Sequence, residues 1–155
     1  MMIVSTIGYE GSEISDFVGV LTHKNVDILV DVRDVPSSRK KGFSKNILRE
    51  QVEAAGIEYL HLKVLGDPKE GREAARSGNT GKFRQIFCNH IDNPDASNAI
   101  QLLIEKVGGK HICLMCFEKD HRCCHRTILI EKMLQSCNFE VQHLGVPKGF
   151  ICKAG

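Results

Sequence analysis

The sequence predicts an α/β fold: a single three-layer domain over residues 1–155, built on a mostly parallel, Rossmann-like sheet of about five strands. Three observations predict it. Short apolar runs rich in β-branched residues recur along the chain, helical periodicity fills the intervals between them, and glycine or polar residues stand where each run stops. Alternation of this kind means βαβ units, and right-handed crossovers leave few topologies.

The elements follow in order. Residues 2–7 are apolar and mostly β-branched and end at Gly8, as a buried first strand does. Ser12 is placed to cap a helix whose Ile14, Phe17, Val18 and Leu21 share one face. Residues 28–32 form a second strand, apolar until Asp31, and a polar loop follows over 33–43 with Pro36 inside it. Ser44 caps a helix running to about Ala55 and closed by Gly56. Residues 57–62 make the third strand. The stretch 66–79 is rich in glycine and charge and reads as a loop with a short helix. Helices are expected over 82–91 and 96–107, the second ended by Gly108 and Gly109. Residues 111–115 are the fourth strand, 124–137 a helix with Ile128, Leu129, Met133 and Leu134 as its apolar stripe, and 140–144 the last strand. The long connection before the fourth strand can carry the chain across the sheet, which predicts the order 3-2-1-4-5. That order puts a switch point between the first and fourth strands, where open α/β sheets bind ligands.

Composition narrows the class. An apolar fraction of 42% with 26% charged residues is that of a globular chain. No stretch reaches the roughly 18 apolar residues of a membrane span, and the amino terminus lacks a basic leader, so a cytoplasmic protein without membrane contact is expected. Seven cysteines, scattered and odd in number, imply no disulfide framework in a reducing compartment. Net charge is only +2. Within residues 33–50, however, six basic residues (Arg33, Arg39, Lys40, Lys41, Lys45, Arg49) face two acidic ones (Asp34, Glu50), either as a solvated face or as an anion-binding surface.

The residues just past the strand ends carry the functional signal. Tyr9 follows the first strand, Asp31 and Arg33 end the second with Arg39 beyond, and Cys116 and Glu118 end the fourth, followed by Cys124, His125 and Arg126 at the next helix. Each has a bland reading: an Asp31–Arg33 pair that only fixes a loop, an inert buried Cys116, surface ion pairs for Arg39 and Arg126, and a Glu118 that accepts from Arg126. Their convergence on one crevice is what points to function. Arginine guanidinia suit phosphate or carboxylate, Glu118 or Asp31 suits a general base, and Cys124 at a helix start beside His125 and Arg126 suits a thiolate. Cys116 and Arg122 have the Cys-x5-Arg spacing of cysteine phosphatases, but the residues between include no glycine and two acids, which would repel an oxyanion. Adjacent Cys123 and Cys124 cannot easily ligate one tetrahedral ion together, so no metal is expected. Gly8-Tyr9-Glu10-Gly11 has the wrong spacing for a dinucleotide fingerprint, so no cofactor is expected either.

Thr6-Ile7-Gly8-Tyr9, Asp31-Val32-Arg33, Pro36-Ser37-Ser38-Arg39, Gly56-Ile57-Glu58-Tyr59, Leu65-Gly66, Cys116-Phe117-Glu118 and Cys124-His125-Arg126 resemble, in order, the family called domain of unknown function 488. The resemblance covers nearly the whole chain and implies an α/β fold with a polar cluster at these positions. It brings no established reaction, substrate or cofactor. The Asp-Val-Arg run is also similar to one in rhodanese domains, whose short catalytic loop is missing here.

The expectation is a small enzyme acting on an anionic, phosphorylated or nucleotide-like substrate in the crevice at the carboxyl ends of strands 1, 2 and 4. Tyr9, Arg33, Arg39 and Arg126 would bind it, and Asp31, Cys116, Glu118, Cys124 and His125 would supply the chemistry. The alternatives are a non-enzymatic nucleic-acid-binding module using the basic loop 39–49, and a thiol redox sensor using Cys123 or Cys124. The sequence leaves enzymatic activity and oligomeric state open.

Overall fold

A computed structural model describes residues 2–150 of the chain, apart from the side chain of Cys123, so the redox reading of that thiol lies outside the described residues. The chain order is β1 (Ile3–Gly8), α1 (Ile14–His23), β2 (Ile28–Asp31), α2 (Lys45–Ala54), β3 (Glu58–His61), α3 (Lys69–Arg76), α4 (Thr80–His90), α5 (Pro94–Val107), β4 (Ile112–Cys116), α6 (His125–Leu134) and β5 (Glu140–Leu144). Short 3-10 turns at Lys63–Leu65 and His121–Cys123 precede α3 and α6. The fold is α/β, with every strand pair parallel.

The sheet order is β3-β2-β4-β1-β5, close to the expected 3-2-1-4-5; β4 rather than β1 stands beside β2. All five residues of β4, Ile-Cys-Leu-Met-Cys, are buried, which suits the centre of a sheet covered on both faces. The edge strands β3 and β5 expose Glu58, and Glu140 and His143, respectively. Register pairs Gly8 with Cys116 and Asp31 with Met115, so β1, β4 and β2 end level with one another.

Alternate residues of the strands feed two cores. On one face Ile7, Leu29, Cys113 and Met115 pack with Phe17, Val20 and Leu21 of α1 and Leu48 and Val52 of α2. On the other, Val4, Val30, Ile112 and Leu114 pack with Phe83, Phe87, Leu103, Ile128, Leu129 and Met133 of the later helices. The connections after β1 and β4 therefore leave toward opposite faces and open a crevice between neighbouring strands. No helix among the described residues is long and apolar enough to cross a membrane.

Two capping expectations are corrected. The residue preceding α1 is Glu13 rather than Ser12, and it makes no side-chain cap bond. Ser44 does precede α2, but its hydroxyl donates to the Ser38 carbonyl and accepts from the Ser38 amide, stapling the basic loop instead of capping the helix. The last helix ends at Leu134, three residues before the expected Cys137.

Candidate functional site

A cavity of about 480 Å³ opens at the carboxyl ends of β1, β2 and β4. Tyr9, Arg33, Arg39, Cys116, Glu118 and His125 line it, so most of the residues singled out in the sequence meet at one place.

The β2 end supplies its most heavily bonded part. Asp31 is fully buried and grips Arg33 in a fork: Arg33 Nε donates to Oδ1 at 2.8 Å and Nη2 to Oδ2 at 2.7 Å. The Arg33 amide and the Tyr59 hydroxyl also donate to this carboxylate. Arg33 Nη1 donates to the Phe43 carbonyl at 2.7 Å and meets the Tyr9 hydroxyl at 3.4 Å. With both oxygens engaged, Asp31 positions Arg33 and has no lone pair directed into the cavity as a base would. The Asp31 charge beside it strengthens Arg33's hold on its proton, and burial next to Asp31 pushes the Tyr59 hydroxyl up, so Tyr59 stays protonated as a donor.

Tyr9 is held as a wall. Its ring stacks on Phe43 with centroids 4.5 Å apart and meets the exposed Phe117 edge-on at 5.4 Å. The Tyr9 and Glu10 amides donate to the Cys116 and Phe117 carbonyls, continuing the β1–β4 ladder past the strand ends. Gly8 makes this possible. A Cβ there would stand 1.8 Å from the Glu118 carbonyl oxygen and 2.7 Å from Arg126 Nη1.

The β4 side carries the thiols. Strand alternation turns Cys116 toward α6, where Arg126 Nη1 donates to its sulfur at 3.1 Å. Arg126 also donates to the Glu118 carbonyl at 2.7 Å and the Lys119 carbonyl at 3.2 Å, while its Nε has no partner among the described residues. At 1% exposure Arg126 does not line the cavity; it anchors the loop that does. Cys124, the residue before α6, brings its sulfur into bonding contact with that of Cys116. Cys88, Cys113 and Cys137 are free thiols, as expected, whereas Cys116 and Cys124 are joined by a disulfide, which corrects the reading of Cys116 as a free thiol and of Cys124 as a helix-start thiolate. His125, buried beside them, has Nε2 2.6 Å from the Val32 carbonyl and Nδ1 3.5 Å from Cys124 Sγ. A ring nitrogen that close to a carbonyl carries the proton, which leaves the Nδ1 lone pair facing the sulfur. Burial lowers the His125 pKa to about 4.

The rest of the wall comes from α3 and the segment before it, where Asp67, Arg72 and Arg76 line the cavity together with Asp34. Gly66 lets this segment cross the β2 loop, since a Cβ there would lie 2.3 Å from the Asp34 amide nitrogen. Arg72 clamps the crossing by donating to Asp34 at 3.2 Å and to the Asp67 carbonyl at 2.7 Å. Burial, reinforced by the nearby Glu118 charge, pushes the Asp67 carboxyl up to about 7, and its Oδ1 has no partner among the described residues. Glu118 is also raised, by its own burial.

A family model described as "Domain of unknown function DUF488" matches residues 13–133, well over half of the chain. The chain belongs to that family. No curated protein and no solved structure shows a significant match to it. For this DUF488 member the cavity therefore has to be read from its own residues.

Sequence reasoning missed Asp67, Arg72 and Arg76. They sit in the glycine- and charge-rich stretch that reads as a loop with a short helix, and Gly66-Asp67-Pro68 just before that helix is the available signal.

Proposed function

We propose that the chain is a small enzyme acting on an anionic, phosphorylated or nucleotide-like substrate in this cavity. The observation that carries the reading is the meeting of four arginines, Arg33, Arg39, Arg72 and Arg76, around one concave site. Arg33 and Arg72 are held by Asp31 and Asp34, which fixes their forks in place. Arg39 and Arg76 are exposed and close no ion pair among the described residues, so they are the two available to an incoming anion. Tyr9, Phe117 and Val35 add an apolar lip suited to a planar group attached to that anion. In this reading Arg39 and Arg76 bind, Arg33 orients, and Glu118 on the floor takes or returns a proton.

The test is a melting-temperature series with inorganic pyrophosphate and nucleoside diphosphates at low salt. The reading expects an upward shift that an Arg39→Ala, Arg76→Ala double variant loses without changing its own unliganded melting temperature. No shift with any phosphorylated probe, or an equal shift in the double variant, overturns it.

A second reading, a nucleic-acid-binding surface on residues 39–49, is favoured by the exposure of Arg39, Lys41 and Arg49. It expects affinity for a duplex or single-stranded probe that falls steeply with salt, with a slope set by the phosphates neutralised. Failure of both probes to bind at low salt removes it.

A further inference from the structure

We propose that Cys116 and Cys124, once their disulfide is reduced, form with Glu118 a binding site for a thiophilic divalent cation of the zinc class beside the cavity. The ligand atoms of Cys116, Glu118 and Cys124 all lie within 4.8 Å of one another. An ion with bonds of about 2.0–2.3 Å spans such a set once the sulfurs part to roughly 3.8 Å across a tetrahedron. Unlike adjacent Cys123 and Cys124, Cys116 and Cys124 come from two different elements, β4 and the residue before α6.

Three further observations favour ion binding by the reduced pair over a structural disulfide. The Cα atoms of Cys116 and Cys124 stand 7.4 Å apart, beyond the about 4.4–6.8 Å that disulfides usually span. His125 stands beside the set as an orienting neighbour: its Nε2 proton is held by the Val32 carbonyl, which fixes the ring and turns the Nδ1 lone pair toward Cys124. Arg126 donates to the Cys116 sulfur, a contact that stabilises a coordinated thiolate. Charge also balances. Two thiolates and one carboxylate carry three negative charges, and a divalent ion with the Arg126 guanidinium supplies three positive ones.

Binding to the reduced protein releases the two thiol protons to solvent and involves no electron transfer. Cys116, Glu118 and His125 all line the cavity, so the ion would sit where an anionic substrate can reach it. That last point rests on the anion-binding reading above; the ion site itself does not.

The experiment uses the full chain, reduced with a phosphine and freed of metal, titrated with cobalt(II) and then with zinc. The expected result is one equivalent of cobalt, with a thiolate-to-cobalt charge-transfer band, displaced by zinc. Cys116→Ser and Cys124→Ser each abolish the band, Glu118→Gln weakens binding about tenfold or more, and Cys137→Ser leaves it unchanged. Should a serine variant fail to fold, zinc must still protect two thiols of the unaltered chain from a thiol reagent. No band, a band surviving both serine substitutions, or no protected thiols overturns the site. A pyrophosphate melting shift that persists without any cobalt band sinks the ion site alone; a band without the shift sinks the anion reading alone.

Discussion

Asp31 and Arg33, two residues apart at the end of β2, face each other through two parallel bonds of 2.8 and 2.7 Å, with the carboxylate fully buried. Removing one partner strands the other's charge away from water. Asp31→Asn is therefore expected to destabilise the fold by about 3–5 kcal/mol, the cost of breaking a buried pair. Tyr59→Phe deletes only one donor to a carboxylate that keeps its other bonds, at a cost of about 1.5–3 kcal/mol. Chemical denaturation orders the two. A smaller loss for Asp31→Asn than for Tyr59→Phe would mean the fork is not what holds Arg33.

Gly8 is fixed by its neighbour across the sheet rather than by its own backbone torsion. Gly8→Ala drives a methyl group against the Glu118 carbonyl, and the β4–α6 loop has to move. A cost of about 1–3 kcal/mol is expected from such overpacking, together with a weaker melting shift by pyrophosphate. Gly81→Ala in α4 meets nothing within 4 Å and should stabilise by about 0.5–1 kcal/mol, as removal of a helical glycine does. Denaturant midpoints of opposite sign in the two variants are the check.

The Asp67 carboxyl gives the protein a dependence on pH. Its folded-state pKa, about 7, lies above the unfolded value of 3.8, so folding favours the protonated form. This contribution to stability is complete below the unfolded value and is lost as the pH climbs through the folded one. Asp67→Asn cannot lose a proton, so its stability should fall less than that of the unaltered chain between about pH 5 and pH 8. Denaturation midpoints at the two pH values read this directly, and parallel profiles would contradict it.

Much of this was legible in the sequence, for identifiable reasons. Strands and helices alternate with clear periodicity, and the residues just past β1, β2 and β4 converge because parallel strands end on one side. The central place of β4 was also written in its composition. Ile112–Cys116 is wholly apolar where β1 contains Ser5 and Thr6, whose hydroxyls need His111 and His143 as partners. What could not be read was which polar side chains are already committed. Asp31, Arg33 and Arg126 look like free chemistry in one dimension, yet the Tyr59 hydroxyl bonds Asp31, the Phe43 carbonyl takes Arg33, and the Glu118 and Lys119 carbonyls take Arg126. The contribution of Asp67, Arg72 and Arg76 depends on the β3–α3 segment crossing Asp34, a contact made by Gly66 packing and by no local pattern.

The cavity's role as an anion site is tested most directly by titrating the isotopically labelled chain with a nucleoside diphosphate and following the backbone amides by NMR. The account predicts saturable shifts at Tyr9, Asp34, Ser37, Asp67 and Glu118, absent with the unphosphorylated nucleoside. Shifts confined to the β5 side around Val146, or none at any of these five amides, would contradict it.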